Sequence, residues 1–305
     1  MDQAPGSPQD PQGPGDQGPQ DARSLPTCYR HPDRETGIRC TRCERPICPE
    51  CRVDAPVGFQ CPECVRSGSG TGHPAAAAQP RTLAGGKIAA DPRLVTKVLI
   101  GINLAAFLVQ LSVGDRFTDS FDLFGQAFLS GELQGVAEGQ WYRLLTAMFL
   151  HGSYIHIMFN MLSLWWIGGP LESVLGRARY LTLYFLSGLA GSALSYLLAA
   201  PNQPSLGASG AIFGLFGATA VLMRRLKNDM RPLIALLVIN LIFTFSPGFN
   251  IAWQAHIGGL VAGVVIGYAM VHAPRERRAL IQYGVCALVM VAVVVTTLVR
   301  TVQLT

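Results

Sequence analysis

Charge is what this sequence has least of. Only 14% of its 305 residues are Asp, Glu, Lys or Arg, while 50% are hydrophobic, too few charges to clothe an ordinary soluble surface. The net charge of +5 is modest and gives no reason to expect a nucleic-acid partner. Acidic residues are missing from the interior of the long apolar runs, and those runs form no inverted repeat. A transporter would need such groups to carry coupling ions, so that class is set aside. The opening residues lack the apolar stretch of a signal peptide, and none is expected. Residues 1–26 are rich in Pro, Gln, Gly and Asp, with no apolar pattern, and are expected to be a disordered tail. Cysteine is nearly absent beyond residue 64. Cys286 stands alone in the last apolar run, where packing or lipid contact accounts for it.

The other seven cysteines fall close together, in pairs spaced Cys28-x2-His31, Cys40-x2-Cys43, Cys48-x2-Cys51 and Cys61-x2-Cys64. Four such pairs supply eight ligands, enough for two tetrahedral Zn²⁺ ions, and soft thiolates with one imidazole favour zinc over hard cations. Disulfides fit poorly with seven cysteines, a well-placed histidine and no export signal, and iron–sulfur is a weaker alternative. The pattern resembles a B-box-type zinc finger over about residues 26–66, giving a double zinc-binding module at 27–66. The resemblance implies cross-bracing, with Cys28, His31, Cys48 and Cys51 on one ion and Cys40, Cys43, Cys61 and Cys64 on the other. So short a module cannot bury a real core, and its structural metal would supply the folding energy. It is expected either to contact a protein partner or only to cap the N-terminus. Residues 67–90 read as a flexible linker, with His73 solvent-exposed and idle.

After Leu94 the apolar runs approach the length of about 20 residues that crosses a bilayer. Seven spans are expected, near 94–113, 145–167, 179–199, 209–226, 232–246, 251–271 and 280–300. Basic residues collect in alternate loops. Arg81, Lys87, Arg93 and Lys97 precede the first span, and Arg177 and Arg179 follow the second. Arg224, Arg225, Lys227 and Arg231 follow the fourth, and Arg275, Arg277 and Arg278 the sixth. The excess of Lys and Arg on one side predicts a multi-pass plasma-membrane protein with a cytoplasmic N-terminus. The cysteine module is then cytosolic, and spans two, four and six begin at the outer face.

Polar residues inside membrane spans are costly and usually functional. The expectation places them in those three spans: His151, His156 and Asn160 in the second, Ser209 at the head of the fourth, and His256 in the sixth. Ser209 sits between glycines in Gly207-Ala208-Ser209-Gly210. A helix N-terminus there offers free N–H groups and positive dipole to a developing anion, as a serine nucleophile needs. The same small residues also suit plain helix packing. Gly259, Gly263 and Gly267 can face Gly210, Gly214 and Ala218, and so bring His256 within hydrogen-bond reach of Ser209. A single membrane histidine can equally be a helix–helix hydrogen bond, and Asn160 interhelical glue. Loop 200–208, uncharged and flanked by proline, can dip inward and admit water beside Ser209.

These residues resemble the rhomboid family of intramembrane serine proteases from about residue 94 to 272. The match includes Trp141-Tyr142-Arg143, His151-x4-His156-x3-Asn160, Glu172-x3-Gly176, Gly207-Ala208-Ser209-Gly210 and Ala255-His256-Ile257-Gly258-Gly259. The resemblance implies an all-α polytopic membrane protein. A six-helix core occupies 91–272, and a seventh transmembrane helix with the C-terminus occupies 273–305. It implies that Ser209 attacks the scissile carbonyl, that His256 serves as base and then acid, and that the Ser209 N–H with His156 and Asn160 holds the oxyanion, with no cofactor for catalysis. Substrates would be transmembrane proteins cut near the outer leaflet of the lipid bilayer. The family's tyrosine one turn after the serine is Phe213 here, which keeps a stacking face and loses a hydroxyl. Trp141 and Arg143 suit the membrane interface, and Glu172 is expected to fix the inner turn between spans two and three. The alternative is a non-catalytic relative that binds client helices, though such relatives usually lack the serine or the histidine.

Overall fold

The computed structural model describes residues 25–55, 57–67, 81–129, 131–245 and 252–305, so His73, nearly all of the expected tail and most of the linker lie outside it. The chain divides into two compact units, Met1–Gln79 and Pro80–Thr305.

The first unit is held by short elements. Strand β1 (Val53–Asp54) pairs antiparallel with β2 (Phe59–Gln60), Val53 opposite Gln60, and Gly58 turns the chain between them at φ +68°. Helix α1 (Pro62–Arg66) starts at proline, and the side chain of Cys61 caps it by accepting from the Cys64 N–H. Its interior consists of Ile47 and cysteines, with Tyr29, Ile38 and Phe59 alongside. So little apolar surface cannot hold a fold by itself.

The second unit is helical. Helix α2 (Leu94–Val113) is followed by the segment that the charge pattern predicts to be outer, with α3 (Asp115–Phe121), the antiparallel hairpin β3 (Ala127–Leu129) and β4 (Glu132–Gln134), and the short α4 (Arg143–Thr146). Then come α5 (Tyr154–Leu175), α6 (Arg177–Leu198), α7 (Ser209–Leu226), α8 (Arg231–Phe245), α9 (Trp253–His272) and α10 (Arg278–Leu304). Helix α7 packs against α9, α6 and α5, and α10 lies on α6 and α9. By length and composition, four helical stretches among the described residues are apolar enough to cross a membrane: Leu94–Val113, Arg177–Leu198, Trp253–His272 and Arg275–Leu304. The apolar part of α8, Arg231–Ile242, is shorter. Helices α5 and α7 carry His156, Asn160, Ser209 and several glycines. In α7 every residue from Gly210 to Ala218 is buried, so protein rather than lipid covers it.

Four expectations change. The second span begins later, because residues 143–149 form α4 and a 3₁₀ turn, Leu150 is extended, and Ser153 caps α5 by accepting from the His156 N–H. His151 therefore precedes the helix, buried, with its N–H donated to Gln110 Oε1 at 2.9 Å. Helix α5 also runs on past Pro170, so Glu172 lies within it. The Glu172 carbonyl accepts from the Gly176 N–H at the turn to α6, but its buried carboxylate is engaged elsewhere. It accepts from the Val95 and Thr96 N–H groups at 3.0 and 2.9 Å and from Thr96 Oγ1 at 2.9 Å, capping α2 across 77 and 76 residues of chain. The end of the expected linker is not free: Arg81 bridges Lys87, fully buried Ala84 donates to the Val174 carbonyl, and Gln282 Nε2 donates to the Ala84 carbonyl. Finally, buried polar residues are not confined to three spans, since Asn103 and Gln110 in α2 and Thr244 in α8 join them.

Candidate active site

Glycines set the spacing on which the site depends. A Cβ on Gly259 or Gly263 of α9 would strike the carbonyl oxygens of Gly210 and Gly214 in α7, and one on Gly267 would come within 2.7 Å of Ala218 Cα. The two helices thus meet backbone to backbone along the ladder read from the sequence. At its N-terminal end lie the first residue of α7, Ser209, and the fourth of α9, His256.

His256 is buried, and its ring lies flat on Phe213, centroids 4.1 Å apart and planes 8° apart. Phe213 follows Ser209 by four residues and so shares its helix face. The stack places the imidazole along the face that carries the hydroxyl. His256 Nδ1 lies 2.9 Å from Thr244 Oγ1, and buried Nε2 has no hydrogen-bond partner among the described residues. The hydrogen bond expected between Ser209 and His256 is therefore not closed. Such contacts are often long before substrate arrives and shorten in the reacting complex.

The second side of the site is built around Gly207. Its φ of +127° is one that glycine tolerates, and its N–H is donated to the Ala147 carbonyl. A Cβ there would stand 2.8 Å from His156 Nε2 and 3.6 Å from Ser209 Oγ, so this bare backbone leaves room for both side chains. His156 Nε2 is buried and unpartnered among the described residues. Asn160, one turn further along α5, spends one Nδ2 proton on the His156 carbonyl at 2.9 Å and keeps the other. Ser205 pairs with Leu123 of the outer segment, tying loop 200–208 to it. Beside Ser209 a cavity of about 20 Å³, lined by Gly207, Gly210, Ala252 and Ala255 among others, is large enough for a water.

His151 packs edge-on against His156, ring centroids 5.1 Å apart, and supports that ring. Arg143 is wholly buried and not an interfacial anchor. It donates to the Asp119 and Asp122 carbonyls, to Asp122 Oδ1 at 3.2 Å and to Gln140 Oε1 at 2.7 Å, tying the outer segment together. Trp141 is exposed, as an interfacial residue can be. Thr244 is the residue sequence reasoning passed over. The signal was there: Asn240 and Thr244, four apart in an otherwise apolar run.

The cysteine-rich unit holds a separate cluster pair. Cys28, His31, Cys48 and Cys51 converge, as do Cys40, Cys43, Cys61 and Cys64, each set with its ligand atoms within 4.8 Å of one another. Four sulfurs about a zinc ion at a Zn–S distance of about 2.3 Å stand about 3.8 Å apart. Cys43 and Cys61 Sγ are 3.8 Å apart, and His31 Nδ1 lies 3.3 Å from both Cys48 and Cys51 Sγ. Burial alone would raise the Cys28 and Cys40 thiols. Backbone N–H groups, of Cys48, Arg30 and His31 at the first and Cys43, Cys61 and Arg42 at the second, hold both near 6 instead. Burial and neighbouring thiols push Cys51 up to about 11 and Cys64 higher. Donors packed this closely cannot all be anionic without a cation among them, so both sets fit a soft divalent metal.

The Rhomboid domain family matches residues 138–273. Rhomboid protease GluP of Bacillus subtilis is 37% identical over 172 residues, covering 55% of this chain but only 32% of GluP. RHOMBOID-like protein 5 of Arabidopsis thaliana is 38% identical over 150 residues, 46% of this chain and 47% of that protein. Putative rhomboid protease YdcA of Bacillus subtilis is 35% identical over 156 residues, 49% of this chain and 77% of YdcA. The matched region takes in α5 to α9 and every residue of the candidate site described above. Together with the apolar helices it makes this a multi-pass membrane protein. A relative matched over most of its own length shows that the chain belongs to the rhomboid family.

Proposed function

We propose that this chain is an intramembrane serine endopeptidase that hydrolyses peptide bonds of transmembrane protein substrates near the outer leaflet. The observation that supports it best is the convergence, around the bare backbone of Gly207, of Ser209 Oγ and an unpartnered His156 nitrogen, beside an unpartnered His256 Nε2 stacked on Phe213. Ser209 Oγ attacks the scissile carbonyl as His256 Nε2 takes its proton, and His256 then gives that proton to the departing amine. The acyl-enzyme is released by water with the same histidine as base. The oxyanion is met by the Ser209 N–H, which as the first of its helix has no partner within it, and by the side chains of His156 and Asn160. All of these donors are fixed before the reaction begins, and hydrocarbon around them strengthens each hydrogen bond.

Alternate clustering of Lys and Arg supports a cytoplasmic N-terminus and a site open to the outer face. The cysteine-rich unit, by its donor geometry, is a B-box-like module holding two structural zinc ions, with protein contact as its use. Zinc there would supply folding energy and has no part in the hydrolysis.

Purified protein on a single-span test substrate, with fragments read by mass spectrometry, tests the proposal. Wild type should cleave and react with a fluorophosphonate, and Ser209→Ala and His256→Ala should do neither. Cleavage surviving in folded Ser209→Ala would refute the assignment and leave a client-binding membrane protein.

A further inference from the structure

Helix α8 shows its apolar side chains outward: Ile234, Val238, Ile239, Ile242 and Phe245 are exposed. Among its described side chains, Leu233 and Thr244 are buried. A hydroxyl is thus enclosed where hydrocarbon would be the ordinary choice, and it meets two partners. Thr244 Oγ1 lies 2.7 Å from the Asn240 carbonyl oxygen and 2.9 Å from His256 Nδ1.

A threonine hydroxyl has one proton and two lone pairs. The Asn240 carbonyl can only accept, so that contact uses the proton. Toward His256 the hydroxyl oxygen can then only accept, and Nδ1 must carry hydrogen. A neutral imidazole has one N–H, so Nε2 is left with its lone pair. In the opposite tautomer the hydroxyl would have to turn away from Asn240, and a buried Nε2–H would lack an acceptor among the described residues.

We infer that Thr244 is a positioning residue: its hydroxyl, anchored on the Asn240 carbonyl, holds His256 in the Nδ1–H tautomer and leaves Nε2 as the base. It does for this histidine what a carboxylate does in three-residue serine hydrolases, orienting the ring and choosing the tautomer. It does so without a charge, which would be costly at that depth. The inference rests on His256 being the base of the proposed reaction.

Nitrogen NMR of full-length protein labelled with ¹⁵N-histidine, with His256→Gln to assign the signal, reads the tautomer directly. Wild type should show a protonated Nδ1 and a pyridine-type Nε2. Thr244→Val, isosteric but without the hydroxyl, should lose that preference, and Thr244→Ser should restore it. On the test substrate, Thr244→Val should lower kcat by about tenfold or more with KM within about twofold, and serine should recover most of it. A protonated Nε2 in the wild type would overturn the inference without recourse to any variant. So would a folded Thr244→Val with unchanged tautomer and kcat. If wild type cleaves nothing, the proposed activity fails, while the spectrum still decides what Thr244 does.

Discussion

Phe213 and His256 lie face to face across the contact between α7 and α9, 4.1 Å between centroids. The stack gives the histidine an aromatic surface to rest on, and Phe213 reaches it from the turn that follows Ser209. An offset or stacked aromatic pair contributes about 0.5–1.5 kcal/mol beyond its buried area. Phe213→Ala should therefore slow fluorophosphonate labelling of Ser209 by about tenfold, a barrier change of about 1.4 kcal/mol. Phe213→Tyr, which keeps the face, should stay within about threefold of wild type on the same scale. Equal rates in all three proteins would show that the ring plays no part in holding His256.

The α7–α9 contact gives a sharper test, because its glycines differ in surroundings. A Cβ on Gly263 would collide with the Gly214 carbonyl, a backbone atom that cannot step aside, whereas one on Gly284 of α10 meets nothing within 4 Å. Gly263→Ala should cost about 1–3 kcal/mol or more as the helices are forced apart, and should reduce labelling of Ser209. Gly284→Ala should be neutral or gain up to about 1 kcal/mol from helix propensity. Thermal melting in detergent measures both. Equal melting temperatures would mean that the helices have slack at Gly263.

Glu172 makes a prediction of a different kind. Its carboxylate closes the first turn of α2 by accepting from two backbone N–H groups and a hydroxyl, all buried. Hydrogen bonds to a charged acceptor contribute about 1.5–3 kcal/mol each, though they do not simply add. Glu172→Gln turns one acceptor into a donor that faces other donors. It should lower the stability of the membrane unit by about 2–3 kcal/mol, with Glu172→Ala at least as damaging. Hydrogen exchange should locate the loss at Val95 and Thr96. Unchanged protection of those two amides would remove the capping role.

How much of this was readable depends on how local each signal is. The glycine ladder was legible because small residues recur every four positions in both helices. The eight metal ligands were legible because each Cys-x2-Cys or Cys-x2-His pair declares itself, while their division into two sets came only from the resemblance to a B-box finger. Hydropathy, in contrast, does not register where a helix starts. His151 was placed inside a span because the apolar run begins at 145, while the cap that decides the matter is one serine, Ser153. The docked turn around Ala84 reads as linker because its composition is linker-like, and the Gln282 that holds it stands 198 residues away. Thr244 was hidden for a related reason: it stands twelve residues from the histidine it touches, on a different helix.

Metal removal separates the two units. The Cys/His clusters make up nearly all of the buried interior of the first unit, so nothing else there replaces the ion as a source of folding energy. Structural zinc in comparably small modules contributes on the order of 10–16 kcal/mol at neutral pH, far more than this interior can supply by burial. A strong chelator, or Cys43→Ser, should therefore unfold residues 26–66, seen as loss of amide dispersion and of protection from protease. The glycine ladder, the Glu172 cap and the Ser209–His256 pair lie wholly in the second unit and use no metal ligand. Cleavage of the test substrate in detergent should thus persist at near wild-type rates after metal removal. If activity falls with the metal while the second unit still melts cooperatively, the cysteine-rich unit governs the protease and is no mere cap on the chain.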